Sequence, residues 1–340
     1  YNANTHKFRC FENTAWTDCR GSGAPGGLTT QIQFNDAGAF GGDADFAWDK
    51  TNNDLTLGGT DTGITMNAIT NEPSATTGSN LHIYSKNIAG RIVPKWVGPA
   101  GVDTPFQAAL WGNNTVMWTP TTATAGVWQG TAGAGAGTYT TALPTATNIY
   151  TSMKRGQWAT VVTTANQQVG QRGSENMFFR GSVAGQGGFF FFCRFGTTAW
   201  TAGDRLFVGL STGTTAVVTA NPSNLTNIAG FGIDAGDTAI TFMTNDNTLT
   251  ATKTAIAGQP ALAANQGYDA YIYAKPNDSV IYYRLVNLNT GAEIVNTSVN
   301  TNLPVNTTAM APQALMSNGA NTPVTSAQIG VNRMYVETDY

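Results

Sequence analysis

The chain has 340 residues, and only 11% of them are charged, against about 25% in an average globular protein. It contains 39 glycines and 13 prolines, and its 17 basic and 20 acidic residues give a net charge of −3. Strong helix formers are sparse, which disfavours a helical protein and favours strands joined by turns. The lack of a basic excess argues against nucleic-acid binding. No apolar run approaches the roughly 20 residues that cross a membrane.

The first twenty residues have the pattern of a β-hairpin. Two stretches with strand composition flank a predicted turn at residues 13–15. A register that places Asn13 opposite Trp16 also places Cys10 opposite Cys19, close enough for a disulfide. Two free thiols in a reducing compartment are the alternative, and both remain open. Zinc is disfavoured, because the three cysteines and two histidines lack paired ligand spacing.

A glycine-rich connector, residues 21–27, leads to a second strand-and-turn unit. Around Trp48 and Asp49 this unit repeats the aromatic residue plus Asx of the N-terminus, and apolar residues follow seven and nine positions later in both places. We therefore predict a repeated strand-turn-strand unit. Such a segment of about 45 residues holds too few apolar side chains for its own core, so we expect it to self-associate.

Three stretches in the first third of the chain carry a family resemblance. They are the cysteine hairpin, residues 31–57 (QFNDAGAFGG, then WD and TNN), and residues 81–113 (LHIYSK, then GVDTPFQ and ALWGN). These stretches resemble segments of tail fibres and other receptor-contacting fibre proteins of tailed bacteriophages. The resemblance implies an elongated homotrimer in the virion, extracellular after phage release, in contact with other virion structural proteins. It indicates fibre architecture rather than one receptor or one place on the virion.

The remaining part predicts one large β-domain. Residues 131–138 (TAGAGAGT) are interpreted as a linker, because they lack the lysine of a phosphate-binding loop. Apolar segments then recur about every ten residues between turns, which is typical of a β-sandwich. The predicted strands are Trp158–Val162, Met177–Phe179, Phe189–Phe195, Leu206–Leu210, Ile228–Ile233, Ile240–Met243, Tyr268–Ala274, Val280–Val286, Glu293–Val299 and Gln328–Val336.

The tyrosine-rich hairpin at residues 268–286 is similar to the rear sheet of concanavalin-like lectin sandwiches. The predicted fold class is therefore all-β, with hairpin stem units followed by a jelly-roll or lectin-like β-sandwich. The predicted domains are a hairpin and linker at 1–27, a stem at 28–72, a connecting neck at 73–130 and the sandwich at 131–340. Four consecutive aromatic residues, Phe189–Phe192, predict a strand whose two faces are both covered. Cys193 after them is interpreted as a buried small hydrophobic residue.

Candidates for catalysis are few. Of the two histidines, one lies in the cysteine hairpin and one in an apparent strand, so a Ser-His-Asp arrangement is disfavoured. The pairs Asp43/Asp45 and Asp234/Asp237 could serve glycoside hydrolysis, but neighbouring Gly and Ala favour a role in turns. Two carboxylates also fall short of the six to eight ligands that calcium prefers. We therefore predict no enzymatic activity, no cofactor and no metal site.

Binding is the activity that the sequence favours. Trp200 is followed in turn-like sequence by Asp204 and Arg205, which together offer a ring face and hydrogen-bonding groups for a sugar. A tryptophan in the sandwich core is the alternative. A trimer would strengthen weak glycan contacts through multivalency.

The sequence therefore predicts a trimeric virion fibre whose C-terminal sandwich recognises a host-surface glycan or protein. It predicts neither nucleic-acid binding nor membrane insertion. One alternative is a capsid, collar or tail decoration fibre without a receptor. The other is a tailspike that degrades surface polysaccharide.

Overall fold

The computed structural model divides the chain into two compact units, Tyr1–Asn67 and Ala68–Tyr340. The residues that the structure describes are 9–12, 14–18, 28–37, 39–71, 73–74, 76–77, 80–88, 91–99, 103–105, 113–120, 131–135, 137–145, 147–183, 186–213, 221–248, 250–258 and 262–338.

The described elements are strands and one 3-10 turn, Pro222–Asn224. In chain order the strands are β1 (Arg9–Glu12), β2 (Ala15–Asp18), β3 (Gln31–Asp36), β4 (Ala39–Asp49), β5 (Asp54–Leu57), β6 (His82–Ile88), β7 (Arg91–Val97), β8 (Asp103–Pro105), β9 (Thr115–Trp118), β10 (Thr131–Gly135), β11 (Thr138–Ala142), β12 (Arg155–Ala159), β13 (Gln168–Gly173), β14 (Phe189–Ala199), β15 (Arg205–Ser211), β16 (Ile228–Ile233), β17 (Thr241–Asn245), β18 (Thr252–Ala255), β19 (Gln266–Ala274), β20 (Ile281–Asn287), β21 (Glu293–Val299), β22 (Ala311–Ser317) and β23 (Gln328–Thr338). No helix in the described part of the chain is long and apolar enough to span a bilayer.

The N-terminal hairpin forms, but its register differs from the predicted one. Glu12 pairs with Ala15, and Thr14 adopts a positive φ of 74°. This register places Cys10 opposite Thr17 instead of opposite Cys19. Cys19 lies outside the described residues, so the disulfide stays a prediction.

The three-stranded sheet β3–β4–β5 has an exposed apolar face. Trp48 pairs with Leu55 and Phe46 pairs with Leu57, and directly opposed residues in antiparallel strands share one face. Trp48 is 43% exposed and Leu55 is 52% exposed. No residue of 28–67 whose burial is described is buried. We refer to Phe46, Trp48, Leu55 and Leu57 as the apolar face of the N-terminal unit.

The second unit contains a small sheet and a large sandwich. The small sheet consists of β6, β7 and β8. The sandwich pairs a seven-stranded sheet, in the order β10-β13-β22-β15-β16-β17-β18, with an eight-stranded sheet, in the order β11-β12-β23-β14-β19-β20-β21. The eighth strand, β9, pairs with β23. All described ladders of both sheets are antiparallel, so the predicted all-β sandwich is confirmed.

The sandwich encloses one large aromatic core. Phe189 and Phe191 point into it, while Phe190 and Phe192 lie half-buried on the other face of β14. The predicted strand is confirmed, and its four aromatic residues alternate between two faces. Phe190 and Phe192 are only half-buried, so full cover of their face, between layers or by a neighbouring chain, stays a prediction. Cys193 is a fully buried free thiol, as predicted. Burial raises its pKa well above the ordinary value, so it stays a neutral, inert side chain.

Two sequence-based assignments in the sandwich are wrong. The interpretation of residues 131–138 as a linker is wrong, because Thr131–Gly135 is the edge strand β10 and pairs with β13. Met177–Phe179 is not a strand, and only Phe178 makes an isolated bridge, to Met310. The predicted domain boundary at 130/131 stays a prediction, although β9 from the predicted neck pairs with the sandwich strand β23.

Tyr150 packs across three glycines on the outer face of the eight-stranded sheet. Gly330, Gly196 and Gly267 lie next to one another on β23, β14 and β19. A Cβ atom added at any of these glycines would collide with Tyr150. Tyr150 is fully buried, and the guanidinium carbon of Arg155 lies 5.0 Å from its ring centroid. The loop between β11 and β12 therefore covers one end of this face.

Candidate functional site

The other end of the outer face of the eight-stranded sheet carries aromatic and charged side chains. Along β14, β19 and β20, buried positions alternate with more exposed ones. This is the period of a strand with one face on the core. The outward positions are Phe190, Phe192, Arg194, Asp269, Tyr271, Tyr273, Tyr282 and Arg284.

Strand register gathers these side chains into one surface. Tyr273 lies opposite Tyr282, and Tyr271 lies between Arg284 on β20 and Phe192 on β14. The ring centroids are 6.1 Å apart for Tyr273 and Tyr282, and 5.0 Å apart for Phe192 and Tyr271. Both distances are within the range of attractive aromatic pairs. Three strands thus supply one continuous aromatic surface.

A shallow groove of about 130 Å³ opens on this surface. We call it the tyrosine groove, and it is lined by Tyr271, Tyr273, Tyr282, Tyr283, Arg284 and Asn296. Its volume is below the roughly 300–1,000 Å³ of pockets that enclose drug-sized ligands. The groove therefore suits a ligand that lies across the sheet and places one part in the groove at a time.

Two cationic side chains border the tyrosine groove. The guanidinium carbon of Arg284 is 5.3 Å from the Tyr271 ring centroid, and the ammonium nitrogen of Lys275 is 5.2 Å from the Tyr282 ring centroid. Both distances are within cation–π range. Arg284 also donates from Nε to Glu293 Oε2 at 2.6 Å. The aromatic surface thus has fixed positive charge at its border.

A bidentate ion pair links β14 and β19 next to the aromatic surface. Arg194 donates from Nε and Nη2 to the two carboxylate oxygens of Asp269, at 2.6 Å each. Hydrogen bonding to Asp269 raises the pKa of Arg194, so the pair stays charged. The Asp269 carboxylate is buried and engaged with this arginine. The ion pair therefore fixes the Arg194 side chain beside Tyr271.

The groove offers ring faces and hydrogen-bonding groups. Burial raises the pKa of the Tyr271 hydroxyl, which therefore stays protonated at neutral pH and can donate or accept. Asn296 adds an amide, which can do both. Among the residues that the structure describes, no group of three His, Cys, Asp or Glu side chains could hold a metal ion. Stacking on flat rings combined with such hydrogen bonds is the chemistry of sugar recognition.

The three predicted glycan-binding residues make internal contacts. Trp200 is half-buried and packs against the main core. Asp204 is fully buried and accepts from the Thr201 backbone N–H and from Asn321 Nδ2, at 2.8 Å each. Arg205 donates from Nε to Asn221 Oδ1 at 2.9 Å. These contacts favour the core interpretation of Trp200, and glycan binding at the three residues stays a prediction.

We predict that Asp204 makes stability pH-dependent. Burial raises its pKa to about 6, above the value of about 3.9 in an unfolded chain. The folded state therefore binds the proton more tightly, and stability is lost as pH rises from about 4 to about 6, by up to about 3 kcal/mol. Melting temperatures of the parent and of Asp204→Asn between pH 4 and 8 test this. The parent should lose stability relative to the variant over that interval, and a constant difference would refute the assignment.

The acidic pairs from the sequence have structural roles. Asp234 and Asp237 flank a turn, as predicted, and the Lys253 ammonium lies 2.9 Å and 2.6 Å from their Oδ2 atoms. A lysine therefore occupies the place between them where a cation would bind. Asp43 and Asp45 lie inside β4, so the turn assignment is wrong for them. Asp43 Oδ1 does accept from the Asp45 backbone N–H at 2.8 Å.

Sequence reasoning missed the tyrosine groove. The signal was present, since Tyr271 and Tyr273 stand two residues apart and Tyr282 follows on the next strand. Alternation places the first two on one face. The sequence did not show whether that face was the core or the outside.

The sequence matches no protein-family model and no curated protein. Solved structures with a similar fold include arcelin-5, a lectin-like defence protein from Phaseolus vulgaris, with 9% identity, a TM-score of 0.43 and coverage of 66% of this chain and 98% of that one. A carbohydrate esterase from the Shiga toxin-encoding bacteriophage phi24B has 14% identity, a TM-score of 0.39 and coverage of 67% and 100%. An endo-β-1,4-glucuronan lyase from Trichoderma reesei has 10% identity, a TM-score of 0.38 and coverage of 59% and 86%. These likenesses concern the β-sandwich architecture alone.

The prediction that the chain is not an enzyme is corrected. The solved structures with a similar fold include a carbohydrate esterase and an endo-β-1,4-glucuronan lyase, and a non-enzymatic role is no longer assigned to this chain. Two histidines and acidic pairs in turn-like sequence are too weak a basis for excluding an activity.

Proposed function

We propose that the protein binds carbohydrate through the tyrosine groove. The single observation that carries this proposal is the convergence of three outward-facing tyrosines, an asparagine amide and an arginine in one open groove. The flat faces of Tyr271, Tyr273 and Tyr282 provide apolar area against which a sugar ring can stack. The amide and the hydroxyls supply the hydrogen bonds that orient a sugar.

The partial exposure of Tyr282 supports a binding role for the tyrosine cluster over a purely structural one. Tyr282 is 36% exposed although the core of the same strand is closed, with Ile281 and Leu285 fully buried. A tyrosine ring that served only to fill the core would be closed to solvent, as Ile281 and Leu285 are. An outward cluster of large aromatic side chains is the kind of surface that marks a binding site.

A panel of immobilised bacterial surface polysaccharides tests the proposal. We expect the full chain to bind a subset of the panel, and the double variant Tyr271→Ala/Tyr282→Ala to lose about tenfold or more in affinity, or about 1.4 kcal/mol. Phe40→Ala is the matched control, because Phe40 is an aromatic side chain of the N-terminal unit that is 63% exposed. Equal binding by the parent and the double variant would overturn the proposal. The molecular mass of each polysaccharide after incubation shows whether the chain also cleaves it.

We further propose that the chain is a homotrimeric virion fibre, in contact with other virion structural proteins and with a host-surface glycan or receptor. The resemblance of its first third to phage fibre proteins motivates the virion role and the number of subunits. The apolar face of the N-terminal unit supports self-association, because large apolar side chains stay exposed there. Light scattering of the full chain should give three times the 35.7 kDa chain mass. A monodisperse monomer would contradict the trimer.

A decoration subunit without a receptor is the alternative virion role. A receptor-binding fibre should compete with phage for adsorption to host cells, and a decoration subunit should not. Adsorption assays with added purified chain separate the two.

A further inference from the structure

We propose that the tyrosine groove prefers polysaccharides that carry carboxylate groups, such as polymers of uronic acids. This inference rests on the proposed carbohydrate binding and specifies the charge of its ligand. It follows from the charged groups that border the groove.

Two cationic side chains contact the rings of the groove tyrosines. Lys275 and Arg284 both stand beside groove tyrosines, whereas Glu293 is the one carboxylate paired with either of them among the described residues. The charges of Arg194 and Asp269, which form an ion pair beside Tyr271, cancel each other. The chain as a whole is acidic, with a net charge of −3, so the placement of these two cations is a local feature of the site.

The pairing of Arg284 leaves it able to bind a second carboxylate. Its hydrogen bond to Glu293 uses Nε, and no described residue accepts from its terminal amino groups. Both side chains of this pair are more than 40% exposed, and exposed ion pairs of this kind contribute little stability. A ligand carboxylate can therefore accept from Nη1 and Nη2 while a neighbouring sugar ring lies on the tyrosines.

Lys275 gives the groove a second cation. Its ammonium lies over Tyr282 and forms no ion pair with the described residues. Two cations, one in the loop after β19 and one on β20, favour a chain with repeated acidic groups over one that carries a single charge. Sugar rings stack on the tyrosines, so an acidic polysaccharide satisfies both features of the groove.

The test compares acidic polymers with their uncharged counterparts. Polygalacturonate, alginate and hyaluronan are each paired with their methyl ester, which keeps the sugar rings and removes the charge. Dextran sulfate and oligothymidylate serve as polyanions of other chemistry. We expect at least one uronic acid polymer to bind about tenfold tighter than its ester at low salt, and this ratio to shrink at high salt.

A charge-removing variant locates the effect. Lys275→Met should lower the ratio of acid to ester affinity for the preferred polymer about threefold or more. Lys154→Met, which removes an exposed lysine outside the groove lining, is the matched control and should leave this ratio unchanged.

The outcomes separate this inference from the proposed function. Equal affinity for acid and ester, or an unchanged ratio in Lys275→Met, would overturn the preference and leave carbohydrate binding intact. Equally tight binding of dextran sulfate or oligothymidylate would also overturn it, in favour of a general polyanion surface. Binding to neither the acidic polymers nor the polysaccharide panel would overturn both.

Discussion

Replacing Tyr150 by alanine is expected to lower the free energy of unfolding by about 3–5 kcal/mol. The side chain is fully buried and fills the space above Gly196, Gly267 and Gly330. Alanine would leave that space empty, because three neighbouring glycines have no side chains that could move into it. The cation–π contact with Arg155 would be lost as well. Urea unfolding of the full chain, followed by tryptophan fluorescence, measures the change.

Tyr150→Phe separates packing from polarity. The Tyr150 hydroxyl is buried beside the Arg155 guanidinium and forms no well-aligned hydrogen bond with the described residues. Removing it leaves the ring packing intact and relieves the cost of an unsatisfied polar atom. The phenylalanine variant should therefore match the parent within about 0.5 kcal/mol or exceed it in stability. A large loss in both variants would show that the hydroxyl, rather than the ring, stabilises this part of the sheet.

Replacing Trp48 and Leu55 together by aspartate is expected to dissociate the proposed trimer, with at least about a 100-fold increase in the dissociation constant. The two residues are opposite each other on the apolar face of the N-terminal unit. An interface between copies would bury both, and an unpaired carboxylate buried there costs several kcal/mol. Light scattering across a dilution series of the full chain measures the shift.

Thr56→Asp is the control for this variant. Thr56 lies on β5 between two residues of the apolar face, so its side chain points to the opposite face of the sheet. It adds a charge to the same strand without touching the proposed interface, and the oligomer should persist. Dissociation by Thr56→Asp alone, or persistence of the Trp48/Leu55 variant, would mean that this face is not where the copies meet.

Strands with a clear apolar pattern were predictable from sequence. Ile228–Ile233 and Glu293–Val299 have the predicted bounds, because turn residues flank both segments. The remaining predicted strands, apart from Met177–Phe179, occur with shifted ends. Trp158–Val162 moves to Arg155–Ala159, since hydrogen bonding to β11 and β23 determines where pairing stops.

Other strands lacked a local signal. Thr131–Gly135 is nearly all glycine and alanine, and it is a strand because β13 pairs with it. Ala311–Ser317 contains a proline and no β-branched residue, and yet it is central in its sheet and buried along its whole length. Tertiary pairing outweighs intrinsic propensity at these positions.

The candidate site was only partly predictable. A period of two placed Tyr271 and Tyr273 on one face, but their approach to Tyr282 and Arg284 depends on the register of β19 and β20. Trp200, the residue that the sequence favoured, packs against the core. A single aromatic residue in a turn carries less information than aromatic residues repeated on neighbouring strands.

The most direct test of carbohydrate binding is a calorimetric titration of the full chain with the polysaccharide that it binds most tightly, repeated with Tyr271→Ala/Tyr282→Ala. We expect the dissociation constant to rise about tenfold or more in the variant, while its melting temperature stays close to that of the parent. An unchanged dissociation constant in a folded variant would contradict the assignment of carbohydrate binding to this groove.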